Sequence, residues 1–269
     1  MSNYIFADAS TKTAQRFRNL ESLFDAWTIG HLEATKVRDG WRCWEVGGGG
    51  GSIANWMAER CGPSGRVLVT DIDPNNLEGS ASHSKAHIEV KHHDIVADPM
   101  QAEQFDLIHA RLLLIHLRAR EQALARLVSA LKPGGWLVIE DFDLTLIDAS
   151  AMQINEESAA LYNKMQNVLF RLMSSRAGPL TLTWGRSLYR RFISSGLTGV
   201  GMEGYSTLRN GGSPGAQLAA INFQQIRTEA IATGEVTDAD FERMLTLLQE
   251  PNFAVYAPIL YTAWGQRPT

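Results

Sequence analysis

The sequence predicts an α/β protein: a mostly parallel sheet covered on both sides by helices. Three observations carry that expectation. Short apolar runs alternate with helical stretches along residues 41–143. Several of those runs are apolar on both faces, as strands buried between two helical layers must be. Acids and glycines gather where the runs end, at the edge where such sheets bind ligands.

The elements follow in order. Residues 11–36 place Phe17, Leu20, Leu23 and Phe24 at spacings of three and four, which predicts an amphipathic helical arm of one or two helices. WRCWEV (41–46) is a strand that runs into five consecutive glycines, Gly47 to Gly51. SIANWMAER (52–60) reads as a helix with Ile53, Trp56 and Met57 on one face, stopped at Cys61-Gly62-Pro63. RVLVTDID (66–73) is a second strand, HIEVKHHDI (87–95) a weaker third, and FDLIHA (105–110) a fourth. The helix 120–132 ends at Pro133-Gly134-Gly135, and WLVIEDFD (136–143) is the fifth strand. Beyond it, helices are expected over 151–177, 184–195, 216–232 and 237–249, with strand-like 198–208 between them. The late run 253–266 reads as a strand, with Pro258 pointing to an edge position or a bulge.

Composition narrows the function classes. The 269 residues carry a net charge of −4 with acids and bases interspersed, so no basic stripe marks a nucleic-acid surface. No apolar run is long enough to cross a bilayer, and the first residues lack the layout of a secretory signal. Cys43 and Cys61 read as reduced core thiols. A cytoplasmic protein without a nucleic-acid or membrane partner is expected; a homo-oligomer is left open.

The glycine run has no polar spacer on either side. It joins a strand to a helix within one unit, which makes it a ligand-cradling turn rather than a linker. Free N–H groups at the start of the following helix face the same place. A dinucleotide reading fits loosely, through Gly49-x-Gly51-x-x-Ala54 and Asp71, 20 residues past Gly51. Against it stand Glu45 in the frame Glu45-x-Gly47-x-Gly49-x-Gly51, the helical arm ahead of the motif, and the lack of a Tyr-x-x-x-Lys pair.

Together, EVGGGGG (45–51), VLVTDID (67–73), HHDI (92–95), FDLIHAR (105–111) and LKPGGWLVIED (131–141) resemble, in the same order, the class I S-adenosylmethionine-dependent methyltransferases. Within that family the chain looks most like bacterial enzymes that methylate small natural products. The resemblance is close over 11–143 and implies a Rossmann-like, doubly wound, mostly parallel seven-stranded sheet. It implies this organisation: an arm (1–36), a cofactor-binding core (37–145), an inserted helical lid (146–183), and the rest of the sheet (184–269) with a second helical insertion near 210–250.

The resemblance also assigns roles. Glu45, Gly47, Gly49 and Gly51 should lie under the methionine part of S-adenosyl-L-methionine, with Glu45 near its ammonium. A carboxylate suits a cationic amine better than a pyrophosphate. Asp71 should accept from both ribose hydroxyls, the other reading being an Asx-turn before Pro74. Ile72 should pack beside the adenine, and Asp94 should meet the adenine amino group with Ile95 nearby; Asp94 also reads as a turn-former before Asp98-Pro99. Ala110 and Arg111 should cross the cofactor with their backbone, and Tyr4, Arg16 and Trp27 are candidates for closing the arm over it.

Three side chains are candidate general bases: His116, Asp141 and His109. His116 reads equally as a packed histidine and Asp141 as a loop cap. The histidines at 83, 87, 92 and 93 lack a supporting ligand set, so no metal is expected. Met152, Met165, Phe170, Met173 and Trp184 predict an apolar acceptor pocket, and the scarcity of lysines and arginines there disfavours phosphorylated acceptors. Methyl transfer to oxygen is the expectation from family frequency. The alternatives are a cyclase of the same fold that uses the cofactor without transferring methyl, an NAD(P)-dependent oxidoreductase, and a non-catalytic binding protein.

Overall fold

The apolar runs become strands whose side chains alternate between two buried layers. In a computed structural model, which describes residues 11–78, 87–145 and 155–269, the helices are α1 Thr11–Ala34, α2 Ser52–Cys61, α3 Asn75–Glu78, α4 Arg120–Ala130, α5 Glu156–Ala177, α6 Trp184–Ser194, α7 Pro214–Ala232 and α8 Asp238–Leu247. The strands are β1 Arg42–Val46, β2 Arg66–Asp71, β3 Ile88–His92, β4 Phe105–Arg111, β5 Leu131–Asp143, β6 Thr198–Tyr205, β7 Leu208–Asn210, β8 Ala254–Tyr256 and β9 Ile259–Gln266.

Seven strands form one sheet in the order β3-β2-β1-β4-β5-β9-β6, and β7 pairs with β8 in a second, small sheet. The first five are mutually parallel, while β9 runs antiparallel to both β5 and β6. This is the doubly wound Rossmann-like sheet expected. The strand order reverses between β1 and β4, which opens a crevice at their carboxyl ends.

Both faces are covered. Trp44, Val46, Ile108, Leu137 and Ile139 join one core, and Cys43, Val67, Val69, Leu107 and Val138 join the other. Each fully buried large side chain contributes about 1.5–3 kcal/mol of transfer free energy, so the alternation itself fixes the register. Cys43 and Cys61 are free and buried in the second core.

Two expectations shift in detail, and one open choice closes. The arm is a single helix of 24 residues. The helix expected over 120–132 ends at Ala130, and Leu131 already turns extended; Pro133 bars its predecessor from helical geometry, so Lys132–Gly135 enters β5 through a register shift against β4. Pro258 marks neither an edge nor a bulge. It separates β8 from β9, and β9 lies inside the sheet, between β5 and β6.

Helices α5, α7 and α8 pack on one another, and α1 packs on α7. These contacts set a helical layer above the carboxyl ends of β4 and β5. No described helix is long and apolar enough to cross a membrane.

Candidate active site

The glycine turn owes its shape to two different constraints. Gly47, Gly49 and Gly51 adopt φ of +75°, +54° and +87°, a region costly for residues with a Cβ. Gly48 and Gly50 have ordinary φ but no space: a Cβ on Gly48 would strike Val69, and one on Gly50 would strike Glu21 and Phe17. The turn is anchored to β2 by Gly47 N–H and Gly48 N–H donating to the Thr70 carbonyl (2.7 and 3.2 Å). Gly51 precedes α2 without a side-chain cap. The cap comes from the arm, where the Glu21 carboxylate accepts from the backbone N–H and hydroxyl of Ser52. Burial, and then the charge of Asp25, push that carboxyl upward.

A cleft of ≈ 800 Å³ opens beside this turn. Its floor is Glu45, Gly47, Gly49 and the other turn residues, and Asp71, Ile72, Asp94 and Ile95 line one side. Arg111 and His116 line another, and α1 closes over it with Arg16, Phe17 and Glu21. Asp71 stands where its carboxylate accepts from Asp73 N–H (3.0 Å) and Gly49 N–H (3.5 Å), which ties the acid to the turn. Burial raises its pKa, opposed by those backbone hydrogen bonds. Ile72 presents an apolar side chain that is 52% exposed on the cleft wall. Asp94 spends one oxygen on the Val96 and Ala97 N–H groups (2.7 and 3.3 Å), so the turn role foreseen for it is occupied while it lines the cleft.

Other expected residues sit elsewhere. Gly51 and Ala110 are not on the cleft wall; Gly51 turns the chain into α2 and Ala110 is buried within β4. Trp27 is not a closing residue: its indole donates to Thr262 (2.7 Å) and stacks on Tyr205. Tyr4, His83 and Met152 lie outside the described residues. No cluster of three or more metal-ligating side chains occurs among the described residues.

Two of the three candidate bases line neither this cleft nor the smaller cavity beside it. His109 is fully buried and bridges Glu45 (Nδ1–Oε2, 2.7 Å) and Glu140 (Nε2–Oε2, 3.4 Å). Burial alone would depress the imidazole, but the charge of Glu45 and the hydrogen bonds to Glu140 and Glu45 outweigh it and raise the pKa to about 9. His109 is therefore an imidazolium that holds Glu45 at the cleft floor, not a proton acceptor. Glu140, unmarked in the sequence reading, also accepts from Thr28 (2.5 Å) and Thr262 (2.6 Å). Arg111 continues the network by donating to Thr28 (2.8 Å) and Asp25 (2.9 Å). Asp141 is also fully buried; burial lifts its pKa to about 8, and one oxygen accepts from the Trp184 indole (3.0 Å). It is a protonated core group at neutral pH.

His116 alone of the three faces both cavities. Burial, with the charges of Arg16 and Arg120, lowers its pKa to about 3, so the imidazole is neutral. Next to it Leu112 holds φ of +53°, an unusual conformation for a side chain with Cβ and one that collects at functional sites. Its N–H donates to the Glu140 carbonyl (2.7 Å), which fixes that bend to β5.

The smaller cavity (≈ 60 Å³) shares Arg16, Leu20, Leu112 and His116 with the cleft and continues under α5 and α7. Phe170 and Met173 line it, as expected for an acceptor pocket, whereas Met165 and Trp184 are core. Arg209 also lines it, contrary to the expected scarcity of arginine.

The cradle of backbone and two carboxylates suits a ligand with a cationic amine and a ribose, and the sheet that carries it has the matching strand order. Residues 44–139 match the family model described as "Methyltransferase domain". The part of the chain that carries the cleft is thus similar to a methyltransferase domain that uses S-adenosylmethionine. It is similar to the ubiquinone/menaquinone biosynthesis C-methyltransferase UbiE of Bordetella parapertussis, 29% identical over 151 residues, 51% of this chain and 58% of that protein. It is also similar to methyltransferase str2 of Strobilurus tenacellus, 33% identical over 37% of this chain and 34% of that protein. The chain thus spans little more than half the length of the first of these relatives, and about a third of the second. Among solved structures, phosphoethanolamine N-methyltransferase 2 of Haemonchus contortus in complex with S-adenosyl-L-methionine shares the fold (TM-score 0.57, 14% identity, 100% of this chain and 60% of that chain).

Proposed function

We propose that the protein transfers the methyl group of S-adenosyl-L-methionine to a small, largely apolar acceptor. One observation carries the reading: Gly47 to Gly50 of the turn, Glu45 and Asp71 converge on one cleft of ≈ 800 Å³. When bound there, the cofactor supplies a methyl group already activated by a positive sulfur. Glu45, set by His109, would hold its ammonium, and Asp71 would accept from its ribose hydroxyls. The lack of side chains on the turn lets a ligand approach its backbone closely, while Phe17 over Gly49 and Gly50 helps to exclude water. The chain Asp25, Arg111, Glu140, His109 and Glu45 carries three acids against two cations, which leaves the cleft floor net negative and suited to a cationic ligand.

The helical layer of α5, α7 and α8 supports the lid reading, with the acceptor in the smaller cavity. His116, neutral and facing both cavities, is the remaining candidate to take a proton from the acceptor. Much of the rate would come from alignment of acceptor and methyl in a site shielded from water. Oxygen is the acceptor atom in the sequence reading. A second reading, an activated carbon, is supported by the named C-methylation activity of the Bordetella relative. Free buried thiols support a reducing, cytoplasmic setting, and the resemblance supports a place in natural-product biosynthesis.

The test is mass spectrometry of products formed from methyl-labelled S-adenosylmethionine and a panel of phenols, quinols and carboxylates. A product heavier by one labelled methyl, with release of the demethylated cofactor, supports the reading. An acceptor rearranged without gain of mass supports a cyclase instead. Carbon NMR of the labelled product separates oxygen from carbon as the methyl site.

A further inference from the structure

The smaller cavity holds a charge that nothing among the described residues neutralises. Arg209, on the short strand β7, is only 5% exposed and lines the cavity among Leu169, Phe170, Leu218 and Phe223. Its guanidinium forms no ion pair among the described residues, and its buried Nε has no hydrogen-bond partner. No Asp or Glu among the described residues lines this cavity. The stem reaches the cavity past α7 only because residue 215 is glycine: a Cβ there would strike Arg209 Cγ.

A buried, unpaired arginine is costly and is kept where something else pairs with it. Two neighbours tell the same story. Gln166, 6% exposed, donates to the Tyr162 hydroxyl (2.6 Å), and its own Oε1 is buried with no partner. Asn222 accepts from Arg16 Nε (3.1 Å), which brings a second guanidinium to the same wall. The polar groups are few and sit among apolar ones, the composition of a site that orients one small molecule.

We propose that the cavity is an acceptor-anchoring site for a carboxylate: Arg209 pairs with the anion while Leu169, Phe170 and Leu218 hold the apolar body. This rests on the methyltransferase reading above and narrows its acceptor to a small amphiphilic acid. A guanidinium suits a carboxylate because its planar fork offers two parallel N–H donors. The unpaired Gln166 oxygen then accepts a hydroxyl or N–H of the same molecule. An anion at this place also lies near Arg16, whose charge, after burial, helps to keep His116 neutral.

The test is isothermal titration of the whole protein with 3-phenylpropionate, with its neutral amide 3-phenylpropionamide, and separately with S-adenosylmethionine. The acid is expected to bind at least about tenfold tighter than the amide. Arg209→Gln should erase that preference, Arg209→Lys should keep part of it, and both should bind S-adenosylmethionine as the wild type does. Thermal melts guard against a purely structural role. Removal of an unpaired buried charge should leave Arg209→Gln as stable as the wild type or more so, whereas a structural arginine would lower its melting temperature. Equal binding of acid and amide, failure of the acid to bind at millimolar concentration, or a preference that survives Arg209→Gln overturns the proposal. Failure to bind S-adenosylmethionine while the acid preference holds overturns the methyltransferase reading and leaves the carboxylate site standing.

Discussion

At the scale of single residues, buried ionisable groups make the sharpest predictions. The His109 pKa is raised to about 9 by Glu45 and Glu140 against the cost of burial. Its bound proton is worth most below the ordinary histidine value near 6.5, and that stability is lost as pH rises through about 9. Wild-type melting temperature should therefore fall across that window, and His109→Gln should be less stable at neutral pH by about 3–5 kcal/mol, since two buried carboxylates lose their cation. The gap between variant and wild type should shrink above pH 9; a gap that stays constant would sink the bridging role. Asp141 runs in the same direction by another route. Its pKa is raised to about 8, so its stabilising protonated form is present at low pH and lost as pH rises towards about 8. Asp141→Asn should remove that slope and keep activity at neutral pH, because a neutral side chain replaces a neutral one. Loss of turnover in Asp141→Asn with unchanged stability would restore the acid as a base.

At the scale of elements, legibility divides by where the constraint comes from. The frame Gly47, Gly49, Gly51 was readable because positive φ is a local demand of a strand-to-helix turn. Gly48 and Gly50 were not, because what forbids their side chains is Val69 on β2 and Phe17 and Glu21 on α1, a tertiary fact. His109 looked like a base because it stands near the sheet edge; only the register that sets it beside Glu45 and across from Val138, next to Glu140, shows that it is spent. Arg209 carried no sequence signal at all, since its burial depends on Gly215 in the helix packed over it. For the same reason the arm matters more than its amphipathic pattern implied. Phe17→Ala should weaken S-adenosylmethionine binding by about three- to tenfold, or 0.7–1.4 kcal/mol, with little change in melting temperature, since the ring is only half-buried. Calorimetry beside a thermal melt checks this, and unchanged affinity would make the arm a spectator.

At the scale of the whole molecule, the sheet order places everything at one edge. The carboxyl ends of β1, β2 and β4 bring Glu45, Asp71 and Arg111 to a single cleft, and the bend at Leu112 leads from there to the cavity under α5 and α7. Alternating apolar runs made the sheet predictable; the C-terminal run was not, because Pro258 hands the chain from one sheet to another. The decisive measurement is calorimetric titration of the wild type and Asp71→Ala with S-adenosylmethionine and with NADH. S-adenosylmethionine alone is expected to bind, weakened at least about tenfold in Asp71→Ala by the loss of charged hydrogen bonds worth roughly 1.5–3 kcal/mol, with the variant still melting as a folded protein. Binding of NADH in its place, or an affinity for S-adenosylmethionine indifferent to Asp71, would contradict it.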